Sequence, residues 1–179
     1  MDSLKNTHEG LFRIEDAQPG DVEAMRTIVK NAWLALYPND EYGITAEDIS
    51  AIDWYDPEAM ARRKKEITEK RETVHVWVLK NERNEVVGFC KATRLDETMG
   101  EIDAMYVAAE LQGKGFGKKL MDKALEWLGP NVDIKLKVVK YNSRAIEFYK
   151  KTGLKNQEMQ FLMKAQGFLT VKKFLELRC

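Results

Sequence analysis

The chain of 179 residues predicts a single α/β domain spanning 1–179, built as a mixed and largely antiparallel sheet flanked by helices. Three observations carry that expectation. Strand-like runs follow one another between residues 73 and 107 with only short polar breaks, the pattern of antiparallel neighbours. Helical periodicity lies on both sides of that run, and a further strand and helix come after it. No internal repeat, low-complexity tract or long linker divides the chain.

Taken in order, residues 1–10 form a loose lead-in and Leu11 to Ile14 reads as a first strand. Gln18, Pro19, Gly20 and Asp21 make a turn with Asp21 placed as a helix N-cap. Val22, Met25, Ile28, Val29 and Ala32 then supply one apolar helical face. The section from Tyr37 to Pro57 is irregular, acidic and aromatic. Within it Thr45 and Asp48 have the spacing of a capping box, which opens a short helix. A charged helix follows from about Glu58 to Arg71. Thr73 to Leu79, Val86 to Leu95 and Gly100 to Val107 are the three consecutive strands. A helix then runs to Leu128 and stops at Gly129 and Pro130. Val132 to Val139 alternates as a strand, and Asn142 or Ser143 caps a short helix that ends at Gly153. Phe161 to Ala165 and Thr170 to Leu177 read as a closing hairpin.

Composition narrows the function classes. An apolar fraction of 44% and a charged fraction of 32% suit a soluble globular domain, and no stretch has the length of a membrane span. The N-terminus lacks the basic start and apolar core of a secretory signal, so a cytoplasmic location is expected. Cys90 and Cys179 make no disulfide framework; Cys90 lies in an apolar run and reads as a small buried hydrophobe. The net charge is zero but uneven. Residues 1–60 carry 13 acidic and 4 basic side chains, and the remainder carries 16 and 25. Such a split suits a polyphosphate ligand on one side and a cationic one on the other, or two solvated faces. The basic residues are scattered and lack interleaved aromatics, which argues against a nucleic-acid platform. No His, Cys or Asp grouping has metal-ligand spacing.

The segment QGKGFG, from Gln112 to Gly117, carries the chemistry. A strand leads into it and a helix leads out, so its successive backbone amides form a concavity suited to phosphate oxygens. It is not a P-loop, because no Gly-Lys-Ser/Thr follows at the required spacing. Nor is it a dinucleotide fingerprint, because Gly113, Gly115 and Gly117 have the wrong spacing. A tight, well-packed turn remains the plain alternative.

The runs EIDAMYV (101–107), QGKGFGKKLM (112–121) and YNSRAIEFYKKTGL (141–154) together resemble the GNAT family of N-acetyltransferases. Gln112, Gly115 and Gly117 stand at the places of its Gln/Arg-x-x-Gly-x-Gly/Ala signature. Asn142, Ala145, Tyr149 and Gly153 stand at those of its Asn-x-x-Ala-x-x-x-Tyr-x-x-x-Gly-Phe block, with Leu154 in place of Phe. The resemblance covers residues 74–155. It implies a GNAT-like sheet in which a splayed pair of strands binds acetyl-CoA, with CoA as product. Cofactor contacts would come from Met105, Tyr106 and Val107, from Gln112, Gly113, Lys114, Gly115, Phe116, Gly117 and Lys118 around the pyrophosphate, and from Asn142 and Tyr149 near the pantetheine and sulfur.

The reaction so implied is attack of an uncharged amine on an acetyl carbonyl. Tyr149 is expected to give a proton or hydrogen bond to the sulfur, with a packed aromatic beside Phe148 as the alternative. Glu101 is the preferred base or water orienter, since Glu101 and Asp103 alternate onto one face; the alternative is two solvated carboxylates. His75 is read as structural. The acidic section (Asp40, Glu41, Glu47, Asp48, Asp53, Asp56 and Glu58) favours a polyamine such as spermidine, as in polyamine acetyltransferases of the PaiA type. A peptide N-terminus or lysine is the alternative acceptor, and a non-catalytic CoA-binding regulatory domain is a further one. Either a monomer or a homodimer is compatible.

Overall fold

A computed structural model describes residues 11–69 and 72–152, together with the backbone of 157–162. Six strands form one sheet in chain order: β1 (Phe12–Asp16), β2 (Val74–Asn81), β3 (Val86–Arg94), β4 (Met99–Val107), β5 (Asp133–Val139) and β6 (Gln157–Leu162). β1 to β4 pair antiparallel, as the short polar turns between β2, β3 and β4 require. β4–β5 and β5–β6 pair parallel, each joined by a helical crossover: α4 (Phe116–Leu128) and α5 (Ser143–Lys151). The remaining helices, α1 (Val22–Leu36), α2 (Ala46–Ser50) and α3 (Pro57–Glu69), lie between β1 and β2 in sequence. The expected strand from Phe161 to Ala165 shares only residues 161 and 162 with β6, which begins earlier, at Gln157; residues 163–165 and the expected strand 170–177 lie outside the described residues.

Strand alternation sorts the core into two layers. In β2, Val76 and Val78 belong to the layer in which Val29 and Trp33 of α1, Ile49 of α2, Trp54 of the following loop and Ile67 of α3 are buried. Trp77 and Leu79 face the opposite way, against Leu120, Met121, Ala124 and Leu128 of α4. The α4 residues recur every three or four positions, so one stripe of the helix is covered. Leu120 and Met121 are wholly buried, and truncating either to Ala would cost about 2–5 kcal/mol. α4 also sits very close to β4. A Cβ built on Gly100 would lie 2.6 Å from Leu128 Cδ2, so a side chain there would force the Leu128 side chain to shift.

Two local expectations are refined. Thr45 and Asp48 form the capping box at α2, with each backbone N–H donating to the other's side chain at 3.0 and 3.1 Å. Asp21 occupies the cap position of α1, but its carboxylate does not cap that helix. It accepts the Gln18 N–H at 2.8 Å and pairs with Lys80 at 3.0 Å, because the Pro19–Asp21 turn is a short 3-10 helix capped from Gln18.

Candidate active site

The sheet splits between β4 and β5. Met99, Gly100, Glu101 and Ile102 pair with Asp133, Ile134, Lys135 and Leu136; past that point the two strands run on without pairing. A β-bulge coincides with the split. Lys91 pairs with Ala104 and Ala92 with Ile102, which leaves Asp103 as an extra residue in β4. Such an insertion bends and twists a strand, turning the end of β4 away from β5. It also resets the alternation, so that Glu101, Asp103, Ala104 and Tyr106 all face the α1–α3 layer. Met105 and Val107 pack with Ile102 on the α4 side. Glu101 therefore belongs to the paired stretch, whereas Asp103 stands just beyond it and opens the split.

At the C-terminal end of β4 the chain builds an anion cradle. Gly113 and Gly115 have φ of +81° and +86°, left-handed values that glycine adopts at little cost. Left-handed residues alternating with ordinary ones turn successive amides to one side. The amides of Phe116, Gly117 and Lys118 lie in the first turn of α4, where no intrahelical acceptor exists. A Cβ built on Gly115 meets nothing within 4 Å, so the space before the helix end is open. Gln112 ties the loop to the strand, its side-chain amide donating to the Val107 carbonyl at 2.9 Å. These features fit the pyrophosphate and pantetheine of a CoA thioester.

Several expected contacts are corrected in detail. The Lys114 N–H turns to the Leu111 carbonyl at 3.4 Å, away from the nest. The Phe116 side chain is core, tilted against Phe12 with centroids 4.6 Å apart, so only its amide serves the cradle. Gly117 is not demanded by backbone strain; a Cβ there would lie in ordinary contact with Phe148, at 3.5 Å. The Lys118 ammonium is held by Asp122 at 2.7 Å, in an i,i+4 pair. Arg144, which the sequence reading passed over, lies beside the nest. Its Nη2 would be 3.9 Å from a Cβ on Gly113.

Asn142 accepts the Ala145 N–H at 3.0 Å and so caps α5, leaving its amide NH2 as the group for a ligand. Tyr149 is buried in the α4-side core, edge-on to Phe148 at 5.4 Å. The Tyr106 ring stacks on Phe89, and its hydroxyl accepts from Trp33 Nε1 at 3.1 Å, which puts its side chain on the face opposite those of Met105 and Val107.

On the α1–α3 face a cleft of about 700 Å³ lies over β4. Glu101 is on its lining and only 7% exposed, which excludes a solvated surface carboxylate. Its Oε1 meets Lys137 Nζ at 2.9 Å across the mouth of the split. Asp103 accepts the Thr93 hydroxyl at 2.6 Å. Lys137 escaped the sequence reading, although the alternation of Ile134, Leu136 and Val138 against Lys135 and Lys137 placed both lysines on one face of β5. None of the seven acidic residues between Asp40 and Glu58 lines this cleft. Trp33 and Trp54 are buried; Tyr55 is exposed, its hydroxyl 2.8 Å from that of Thr27.

Two other candidates resolve as structural. His75 contacts Asp16 at 2.8 Å and stacks on Trp77, on the side of the sheet away from the cleft. Cys90 is fully buried, and burial pushes its thiol far up, out of reach of nucleophilic chemistry. Among the described residues no group of three metal-ligating side chains occurs, and no helix is long and apolar enough to cross a membrane.

A parallel strand pair that splits, with a glycine turn and a helix start between its two strands, is an arrangement suited to a long, phosphate-bearing ligand. The chain belongs to the acetyltransferase (GNAT) family, whose model matches residues 31–154. It is 36% identical over 81 residues to the peptidyl-lysine N-acetyltransferase YjaB of Salmonella typhimurium, a match covering 45% of this chain and 50% of that protein. The chain spans about half the length of the curated relatives it matches. Its fold is similar to that of the PaiA N-acetyltransferase from Thermoplasma acidophilum, solved in complex with coenzyme A. That match has a TM-score of 0.67 at 18% identity, over 79% of this chain and 88% of the other. Ard1 from Thermoplasma volcanium shares the fold with a TM-score of 0.57 at 24% identity, over 80% and 82%.

Proposed function

We propose that the protein transfers an acetyl group from acetyl-CoA to a primary amine seated in the cleft above Glu101. The observation that carries this reading is Glu101 itself: a buried carboxylate on the cleft lining, at the last paired turn before the strands part. Family membership makes acetyl-CoA the donor, and its thioester supplies the activated acetyl group. The nest around Gly113 and Gly115 and the first turn of α4 would hold its phosphates, and the unpaired edge of β4 its pantetheine arm.

The work of the chain's own residues is positional and protonic. An ammonium has no lone pair, so an acceptor must lose a proton before it can attack. Glu101 would take that proton, directly or through a water, with Lys137 setting the orientation of its carboxylate. Tyr149 would hold a proton at its hydroxyl oxygen for the sulfur as the acetyl group leaves. Residues of α1 and α3 would form the walls around the acceptor.

As acceptor class we favour a lysine-type amine carried on a peptide or amino acid, in line with the peptidyl-lysine activity named for the curated relatives. A polyamine is the second reading. It has in its favour the tyrosine cluster of Tyr37, Tyr42 and Tyr141 beside the exposed Asp40 and Glu41, but those carboxylates do not reach the cleft. Release of free thiol from acetyl-CoA, followed over lysine peptides, spermidine and spermine, tests both. Amine-dependent release supports the transferase reading, and release with none of them rejects it. Saturable binding of acetyl-CoA without transfer would point to a regulatory CoA-binding domain.

A further inference from the structure

Lys137 stands where β5 leaves β4. Leu136 is the last residue of β5 paired with β4, opposite Ile102, and Lys137 is the next. β6 still pairs with β5 along this stretch, so the backbone of Lys137 is held on its other edge, opposite Gln160. The alternation that buries Leu136 and Val138 on the α4 side sends the Lys137 side chain to the opposite face, on the lining of the cleft. There its Nζ lies 2.9 Å from Glu101 Oε1. In the proposed reaction Glu101 takes the proton of the attacking amine. A primary amine of the chain itself therefore sits in the place of an acceptor.

Among the described residues, the neighbouring lysines are placed differently. Lys91 belongs to β3, one strand removed from the split, and meets both oxygens of Glu66 at 2.9 Å. Lys65 is on α3 and meets Glu69 at 3.5 Å. Lys135 shares the face of Lys137 but lies two residues back, where β5 is still paired, opposite Glu101. Lys137 is also within reach of a ligand, its side chain 27% exposed against 9% for that of Glu101.

We infer that Lys137 is a self-acetylation site: when no free amine fills the cleft, its Nζ accepts the acetyl group from acetyl-CoA within the same chain. The inference rests on the proposed transferase reaction at Glu101. Lys137 Nζ gives one proton to Glu101, directly or through a water, and forms its bond to the acetyl carbon as the carbon–sulfur bond breaks. It loses a second proton to solvent. The sulfur leaves as thiolate and takes a proton from the Tyr149 hydroxyl, which is restored from solvent. The net change is ammonium and thioester to amide, thiol and one released proton. The amide carries no charge, so the modification also removes the cation that faces Glu101.

Site-resolved mass spectrometry tests this. Wild-type protein is incubated with isotope-labelled acetyl-CoA and no acceptor, and label is followed at Lys137, at Lys135 and at the exposed Lys114. Lys137 should be labelled about 10² or more faster than the other two, because its amine is held at the reacting position. That rate should fall by about 10² in Glu101→Gln, with the Kd for acetyl-CoA unchanged, and excess coenzyme A should block it. Acetyl phosphate lacks the nucleotide arm. In the cofactor-free protein it should label Lys137 no faster than Lys135, and Glu101→Gln should not slow that labelling. When wild type is mixed with a tagged Glu101→Gln copy, the label should stay on the wild-type chain. Equal labelling of Lys137 and Lys135 by acetyl-CoA, preferential labelling of Lys137 by acetyl phosphate, or label on the tagged copy would overturn the inference. Thiol release with a lysine peptide beside an unlabelled Lys137 would overturn it and leave the transferase reading standing. Absence of both label and amine-dependent thiol release would remove the two together.

Discussion

Glu101 and Tyr149 flank the split from opposite layers: Glu101 lines the α1–α3 cleft, and Tyr149 is buried with the α4-side core. Under the proposed reaction the two halves of the proton traffic fall to different residues. Glu101→Gln keeps the shape of the side chain and removes its basicity, so kcat should fall by about 10² or more while acetyl-CoA affinity holds, as read by steady-state kinetics with calorimetry. A variant with wild-type kcat across pH 6–9 would remove Glu101 from catalysis. Tyr149→Phe should lower kcat far more than it weakens cofactor binding; an unchanged kcat would leave Tyr149 as packing against Phe148. At this scale the sequence was informative about Glu101, because its place in EIDAMYV fixed strand and face. It was silent about Lys137, whose approach to Glu101 depends on how β5 lies across the sheet.

The elements that matter most are β4 and the loop that follows it. A bulge at Asp103 and the loss of pairing after Ile102 open the sheet, while Gln112 and the two left-handed glycines set the cradle at its end. Gly115 needs its left-handed φ for the nest, yet a Cβ there would meet no neighbour. Replacement by Ala therefore acts through backbone strain alone, about 1–2 kcal/mol, and should raise the Kd for acetyl-CoA by roughly five- to thirtyfold. Calorimetry reads this directly, and an unchanged Kd would mean that the nest does not hold the cofactor. The glycine loop and the strand before it were legible because turn chemistry and periodicity are local. The bulge was not, since one extra residue in a strand leaves no mark until its partner's register is known. The acidic section was legible as a cluster, but its relation to the cleft was not: its carboxylates are close in sequence to α1 and α3, yet none of them is on the lining between those helices and the sheet.

Across the whole molecule, the start of the α1 layer is pinned to the β1–β2 edge of the sheet by a buried lysine. Lys80 pairs with Glu15 at 2.7 Å and with Asp21 at 3.0 Å, joining β2 to β1 and to the start of α1. The hydrogen bond to Glu15 is the main cause that raises Lys80 above its ordinary value of 10.5; the bond from Lys80, and then that from Arg13, lowers Glu15 below 4.5. The signs follow by linkage. Stability from Lys80 is complete below pH 10.5 and is lost as pH rises through its raised value. Stability from Glu15 is complete above pH 4.5 and is lost as pH falls through its lowered value. Lys80→Met should therefore lower Tm at neutral pH and flatten the fall of Tm below pH 4.5; an acid limb identical to wild type would contradict this. The antiparallel run β2–β4 and the helix placement were readable along the chain, because short turns force antiparallel neighbours. The lining of the cleft was not, because it is drawn from α1, α3, β3, β4 and β5 together.

The central claim is that an amine seated over Glu101 is acetylated by a donor held in the β4–α4 cradle. Its most direct test is thiol release from acetyl-CoA by the wild-type protein and by Glu101→Gln, with a lysine peptide as acceptor and cofactor affinity measured on the same samples. The expected result is acceptor-dependent release by the wild type, lost by about 10² or more in the variant, with equal Kd for acetyl-CoA. Acceptor-dependent release at the same rate in both would contradict it.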